Sequence, residues 1–288
     1  MEPELNRIGV LGLERLVEVG KPQGTVVLMP RIDVFLEVAK GSSNDHAFQL
    51  KVNEIIDKGL AGKVVSMEAL CVDVMKGLLT CFNPKSAEVR MEAEYAVYRR
   101  TPRSGQKTQE MYKILARAKG SCGIVRKTVG AEVTGLNVCP CAQEGLREYT
   151  KARLRWLPER VVTKVLGQVP LASHNQRNVS RLLLEAPEGH RVEVEELIAI
   201  LEEAMSSPLY ELLKREDEVE VVLRSHERPS FVEDIVRNIF LSVVRRYKDL
   251  PDDCLVSVRS ESMESIHQHN AIAEKISYLK ELRAEVAR

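Results

Sequence analysis

Cys139-Pro140-Cys141, the polar run Ser173-His174-Asn175-Gln176-Arg177 and the pair His267-Gln268-His269 hold the side chains of this chain best suited to chemistry. Thiolate and imidazole are soft and borderline ligands for transition metals. Three of the six histidines and two of the six cysteines fall in these short segments. That concentration argues for a divalent-metal site. The proline between the thiols fixes one backbone dihedral and stiffens the pair. Each segment alone has a plainer reading: two structural cysteines in a turn, a surface-loop histidine, two solvated histidines at a strand end. Their joint occurrence favours the site. In an extended segment His267 and His269 point to the same side, so one can bind metal while the other transfers protons.

Acidic residues are less informative. Glu202 and Glu203 are neighbours on one helix, and composition does not decide which faces inward. The run Lys214-Arg215-Glu216-Asp217-Glu218 reads on its own as a solvated face.

The elements that must position these residues come from periodicity. Arg7 to Val19 and Gly24 to Val38 read as extended segments joined by a turn at Gly20-Lys21-Pro22-Gln23-Gly24. Asn44 to Ile56 and Ser66 to Cys81 have helical spacing, and Asn83-Pro84 stops the second helix. Ala87 to Tyr98 alternates strictly, with Val89, Met91 and Tyr95 on one face and Glu88, Arg90 and Glu92 on the other. Gln109 to Lys119 and Ile124 to Val138 are extended. Leu146 to Gln168 is a helical excursion broken near Trp156-Leu157-Pro158. Gln176 to Ala186 is extended and Glu193 to Ser206 is an amphipathic helix. Ser230 with Glu233 forms a capping box for a helix reaching Tyr247. Leu255 to Ser260 is a strand, and the tail from Asn270 leans to helix.

Both halves thus read as strands, helices, strands. The class is α+β, with antiparallel sheets carrying helices on one face. Residues 1–120 form a first unit, and 121–288 a second that holds the inserted helices at 146–168 and most of the motifs. Edge strands of such units invite pairing with other subunits.

The totals narrow the function classes. Forty-two basic residues balance forty-two acidic ones, so no global field draws nucleic acid or a membrane surface. No apolar run approaches the ~20 residues of a membrane span. The acidic N-terminus, Met1-Glu2-Pro3-Glu4-Leu5, lacks the features of a signal peptide, and the cytoplasm is the expected compartment. Six cysteines in 288 residues do not suggest a disulfide framework; Cys71, Cys81, Cys122 and Cys254 read as small core residues.

Five segments taken together resemble the GTP cyclohydrolases of the IB type, especially their archaeal metal-dependent branch in methanopterin synthesis. They are Thr134 to Gln143 (Thr-Gly-Leu-Asn-Val-Cys-Pro-Cys-Ala-Gln), Ser173 to Arg177, Leu213 to Glu218, Phe231 to Arg237 and Glu264 to Ala271. They occur in the family's order across most of the second half. The long excursion between Cys141 and His174 is similar to the archaeal branch, since the bacterial branch joins these motifs by a short turn.

The resemblance implies tandem tunnelling-fold units whose sheets close into barrels on oligomerisation, commonly as tetramers, with active sites at subunit interfaces. It implies Cys139, His174, Glu202 and His267 as metal ligands, Fe(II) as the favoured ion, and Zn(II) or Mn(II) as alternatives. It implies Glu218, in preference to Asp217, as the anchor of the guanine edge. Arg177 and Lys214 would contact substrate, and Cys141, His269 and Glu264 would assist catalysis. A carboxylate suits the guanine edge because it can accept from both the ring N–H and the exocyclic amine.

The implied reaction is hydrolysis of GTP at C8 with release of formate. It gives a dihydroneopterin, favoured as the 2',3'-cyclic phosphate, in the first step of pterin biosynthesis. The triphosphate product of the bacterial branch, or a purine- or metal-binding protein without catalysis, are the alternatives. One position departs from the family. Lys40-Gly41 is followed by Ser42-Ser43-Asn44-Asp45-His46, without the Ser-Arg motif expected there, so a phosphate contact must come from elsewhere.

Overall fold

The computed structural model describes residues 5–21, 24–37, 46–62 and 64–287. The Lys40–Asp45 departure lies outside them. Strands β1 (Arg7–Glu14), β2 (Val17–Lys21), β3 (Gly24–Leu28) and β4 (Arg31–Glu37) come first, so each expected extended segment is split in two. Helices α1 (His46–Leu60) and α2 (Met67–Phe82) follow. Then come β5 (Ser86–Arg100), β6 (Lys107–Ser121) and β7 (Ile124–Val138). The excursion consists of α3 (Pro140–Arg153) and α4 (Glu159–Leu166). The chain continues through β8 (Asn175–Pro187), α5 (Val194–Ala204), the short β9 (Ser207–Pro208), α6 (Arg215–Glu227) and α7 (Val232–Arg246). It ends with β10 (Leu255–Ser262), β11 (Ala271–Tyr278) and α8 (Leu279–Val286).

One antiparallel sheet runs β1-β4-β5-β6-β7-β8-β10-β11, with β9 added beside β7; β2 and β3 pair separately. The sheet passes without a break through the boundary expected near residue 120, which falls at the β6–β7 hairpin. Helices α2, α5 and α7 pack along one face. On that face Val89, Met91, Ala131, Leu182, Leu184 and Val258 are buried. The other face carries charged residues such as Arg90, Glu92, Lys113, Glu132 and Arg181; Glu132 pairs across strands with Lys113 and Arg181. A period-two sequence with one apolar side dictates this arrangement. Each fully buried Leu or Ile contributes roughly 1.5–3 kcal/mol relative to exposure. One hydrophobic cluster joins both halves, from Ile32 and Met75 to Leu184 and Ile239.

Local signals explain several ends. The Ser66 hydroxyl accepts from Ala69 N–H at 3.2 Å and starts α2. Asn83, at φ 45°, stops that helix ahead of Pro84. Gly135 is required by a close approach. A Cβ there would meet Met205 Sδ at 2.2 Å, so glycine lets the chain after α5 lie against β7.

Several expectations are corrected. Helix α3 begins at Pro140, not near 146, because proline is well suited to a first helical position. Helix α7 is capped one residue later than expected, with Asp234 accepting from Phe231 N–H at 3.2 Å. The tail is strand before it is helix: β11 pairs with β10 from Ala271 to Tyr278. Cys71 and Cys254 are core residues, whereas Cys81 and Cys122 are exposed; all six cysteines are free. The charge run at 214–218 opens α6, and its Asp217 is fully buried.

Candidate active site

The site forms where β7, β8 and β10 end together on the helix-covered side of the sheet. The register aligns Asn137 with Gln176, and Asn178 with Ser262. Cys139 follows β7 directly and His174 precedes β8. The two are clasped: Cys139 N–H donates to the His174 carbonyl at 3.1 Å, and Ser173 Oγ donates to the Cys139 carbonyl at 2.7 Å. The ends of the α3–α4 excursion are thereby held as an extension of the strand ladder.

One cleft is lined by Cys139, His174, Glu264, His267 and His269, with Glu233 at the start of α7. The rings of His174 and His267 meet edge to face, with centroids 6.4 Å apart; those of His267 and His269 stack at 5.3 Å. Glu264 Oε2 lies 4.0 Å from His174 Nδ1. The N-termini of α3 and α7 meet here, tied by a 3.0 Å bond from Ser230 N–H to the Val138 carbonyl. Unpaired N–H groups of two first turns therefore add partial positive charge to the cleft.

Beneath the cleft runs a buried polar network. Gln176 Oε1 lies 3.0 Å from His174 Nδ1, while Gln176 Nε2 donates to Ser262 Oγ at 3.1 Å and to Glu264 Oε1 at 3.2 Å. Ser262 Oγ donates to Glu264 Oε1 at 2.8 Å, and Asn137 Nδ2 donates to Ser262 Oγ at 3.1 Å. With Gln176 Nε2 donating on one side, its Oε1 is an acceptor. His174 must then carry its proton on Nδ1, which leaves the Nε2 lone pair for a ligand.

The expected residues are distributed unevenly. Cys139, His174, His267, His269 and Glu264 come together. Cys141 is exposed in the first turn of α3, two residues beyond the clasp. Arg177 is on the opposite, charged face of β8 from Gln176, because side chains alternate along a strand. Lys214 caps α6, where its backbone N–H donates to Asp217 Oδ2 at 3.1 Å.

Glu218 is exposed on α6, whereas Asp217 accepts from Arg103 N–H, Ser104 N–H and Ser104 Oγ at 2.9, 2.9 and 2.6 Å. Burial would raise the Asp217 pKa. The Ser104 hydroxyl and the backbone N–H groups outweigh that and hold it well below the usual range. Asp217 is thus committed to fixing the β5–β6 turn, and Glu218 is the carboxylate of this motif left open to solvent.

Glu202 does not line the cleft within one chain. Its Oε1 accepts from Tyr112 Oη at 2.7 Å, and its Oε2 pairs with Arg99. Lys113 is the register partner of Glu132, so Tyr112 lies beside residue 133, about 20 Å of strand before Cys139. Burial raises the Glu202 pKa despite these partners, and burial likewise raises that of Tyr112. Two helical turns earlier, Glu195 is held in the same way by Tyr95 Oη at 2.5 Å and Lys21 Nζ at 2.7 Å. The two glutamates clamp one face of α5 to the first half of the chain. Among the described residues, no group of three or more Cys, His, Asp or Glu side chains is drawn in to metal-holding distance.

The model of the type I GTP cyclohydrolase folE2 family matches residues 1–273. The chain belongs to this family. Among relatives of the GTP cyclohydrolase folE2 family chain, the GTP cyclohydrolase MptA of Methanothermobacter thermautotrophicus is 40% identical over 291 residues, covering 98% of this chain and 92% of that protein. The GTP cyclohydrolase MptA of Methanobrevibacter smithii is 39% identical over 292 residues, covering 98% and 94%. Among solved structures, uricase from Arthrobacter globiformis shares the fold at a TM-score of 0.56 and 8% identity, covering 96% of this chain and 94% of that one. The family's tunnelling fold, expected from the sequence, is thus the fold of the chain. Among the described residues no helix is long and apolar enough to cross a membrane.

Sequence reasoning missed the roles of Ser262 and Asn137 and the tethering of Glu202. Gln176 stood inside a recognised motif, but its part became visible only through strand register.

Proposed function

We propose that this chain is a cytoplasmic, metal-dependent GTP cyclohydrolase of pterin biosynthesis. It would hydrolyse both C8–N bonds of the guanine ring, release C8 as formate, and give a 7,8-dihydroneopterin, with the 2',3'-cyclic phosphate, formed with loss of pyrophosphate, as the favoured form. The carrying observation is the cleft that gathers Cys139, His174, His267, His269 and Glu264 from separate segments. The names of the relatives support the same reading.

The donor set suits a divalent transition ion: one thiolate, two imidazoles and a carboxylate. Cys139, His174 and His267 would hold it, with Fe(II) favoured over Zn(II) or Mn(II). When bound, such an ion would supply Lewis-acid activation of water for attack at C8. The protein does the rest. Gln176 orients His174 and keeps its Nε2 available. Ser262 and Gln176 hold Glu264 at the cleft wall. His269, stacked on His267, is placed to take and return protons, and Cys141, exposed in the first turn of α3, would assist it.

Glu202, Glu218 and Lys214 stand away from the cleft of their own chain. The proposal brings them to it from a neighbouring copy in a homotetramer or similar assembly. There Glu202 would complete the ligand set on leaving Tyr112 and Arg99, and Glu218 would accept from the guanine edge. The open edges β1 and β11 are available for that assembly. The test is formate release from GTP under anaerobic conditions, with Fe(II) and then with Zn(II). Binding of GTP with no formate under either condition would overturn the proposal.

A further inference from the structure

On the charged face of the first half, Glu88 is nearly buried and surrounded by three guanidinium groups. Arg7 Nη2 lies 2.5 Å from Glu88 Oε2, and Arg90 Nε and Arg117 Nε each lie 2.6 Å from Oε1. Arg90 and Arg117 are direct register partners on β5 and β6, and Lys119 stands opposite Glu88. Like charges in such positions repel. The neighbouring carboxylates are already engaged: Asp33, the register partner of Arg90 on β4, accepts from Gly12 N–H at 2.7 Å, and Glu37 accepts from Ser86 Oγ at 2.7 Å. Phe35 holds Arg7 at 3.7 Å and Arg90 at 5.0 Å from its ring centre, so neither guanidinium is free to turn away. The Nε–H of Arg117 is buried and finds no acceptor at hydrogen-bonding geometry, and Lys119 has no ion pair among the described residues.

Four cations, Arg7, Arg90, Arg117 and Lys119, therefore gather with three carboxylates, Asp33, Glu37 and Glu88, around a pocket whose lining includes Arg7, Phe35, Glu37, Glu88 and Lys119. Each guanidinium presents five donors in a planar fork, and one carboxylate cannot occupy them all. A structural ion pair would need one arginine, not three, two of them packed on an aromatic ring. We propose that this pocket binds a phosphate-chain oxyanion. Glu88 acts as the template that spaces Arg7, Arg90 and Arg117, and the remaining donors and Lys119 bind the anion through charge-assisted hydrogen bonds. The Glu88 carboxyl keeps its charge in this setting. Burial pushes its pKa up, but the Arg90 hydrogen bond and the three positive charges bring it below the ordinary value.

The pocket is remote from the cleft of the same chain. Lys119 pairs with Arg126 on β7, thirteen residues before Cys139, which is about 40 Å of strand. It is therefore a second site on the chain, and it does not depend on the cyclohydrolase reading.

The probe is pyrophosphate, titrated calorimetrically into the full-length protein in phosphate-free buffer. The double variant R90Q/R117Q should bind at least tenfold more weakly than wild type, while C139A should bind normally. Glu88→Gln guards against misfolding of the double variant. It should melt lower than wild type alone and recover on adding pyrophosphate. GTP and guanosine titrated into C139A, with and without R90Q/R117Q, separate the sources of the anion. Loss of GTP but not guanosine affinity assigns the pocket to the nucleotide's phosphates; unchanged GTP affinity with loss of pyrophosphate assigns it to a free anion. Equal pyrophosphate binding by wild type and R90Q/R117Q, or none by wild type at millimolar concentration, would overturn the proposal.

Discussion

Gln176 Oε1 lies 3.0 Å from Nδ1 of His174, and the same amide donates to the carboxylate of Glu264. One side chain thus sets the tautomer of an imidazole and restrains an acid beside it. Groups that orient ligating imidazoles in this way typically matter by about 10–100-fold in metal affinity or activity. Gln176→Leu should weaken Fe(II) binding by about that factor, measured by competition with a chelator, and lower formate release in parallel. Unchanged affinity would remove Gln176 from its orienting role.

Cys139 has the most direct prediction. Cys139→Ala should lose stoichiometric metal and turnover together while keeping its melting temperature, because the clasp uses backbone atoms and the Ser173 hydroxyl, not the thiol. Elemental analysis of protein purified without oxygen gives the first quantity, and formate release the second. Full activity in this variant would exclude Cys139 from the site.

The separation of Glu218 from the Cys139 cleft predicts complementation between subunits. Cys139→Ala and Glu218→Gln should each be inactive alone. Co-expressed with different tags and purified as mixed oligomers, they should recover up to about a quarter of wild-type activity, because a mixed interface can unite two intact half-sites. No recovery in mixed oligomers would place Glu218 and Cys139 in one subunit's site.

Asp217 predicts an acid-side loss of stability. Its pKa is lower folded than unfolded, held there by Ser104, Arg103 and Lys214. Its contribution is therefore complete above the unfolded value of about 3.9, and is lost as pH falls through that value towards the folded one. Asp217→Asn should lower the melting temperature at pH 7, and the gap from wild type should shrink below about pH 4. A gap independent of pH between 3 and 7 would contradict this reading.

Strands were legible where one face is buried and the other wet. Ala87 to Tyr98 alternates cleanly and is strand, and Ile124 to Val138 was placed with its observed ends. The tail was misread because β11 is an edge strand whose larger apolar side chains, Ile272, Ile276 and Tyr278, share an exposed face instead of the core face, and because it is followed at once by the helical Leu279–Val286. The thiol and imidazole motifs marked the cleft, since those residue types are scarce in the chain. What escaped was non-local. Asp217 is committed to a turn 114 residues away, and Glu202 to a tyrosine 90 residues away. No spacing within either motif encodes those partners.

The clasp between Cys139 and His174 separates two kinds of change. The chain beyond the first turn of α3, from Glu144 to Val169, hangs outside a loop base already tied by the backbone, so it can lengthen, shorten or acquire a new surface while the thiol and the imidazole keep their mutual position. Closing a longer loop adds only about 0.6 kcal/mol for each doubling of its length. Helix α4 and α3 beyond its first turn are thus free to diversify at little expense to the chemistry they overhang.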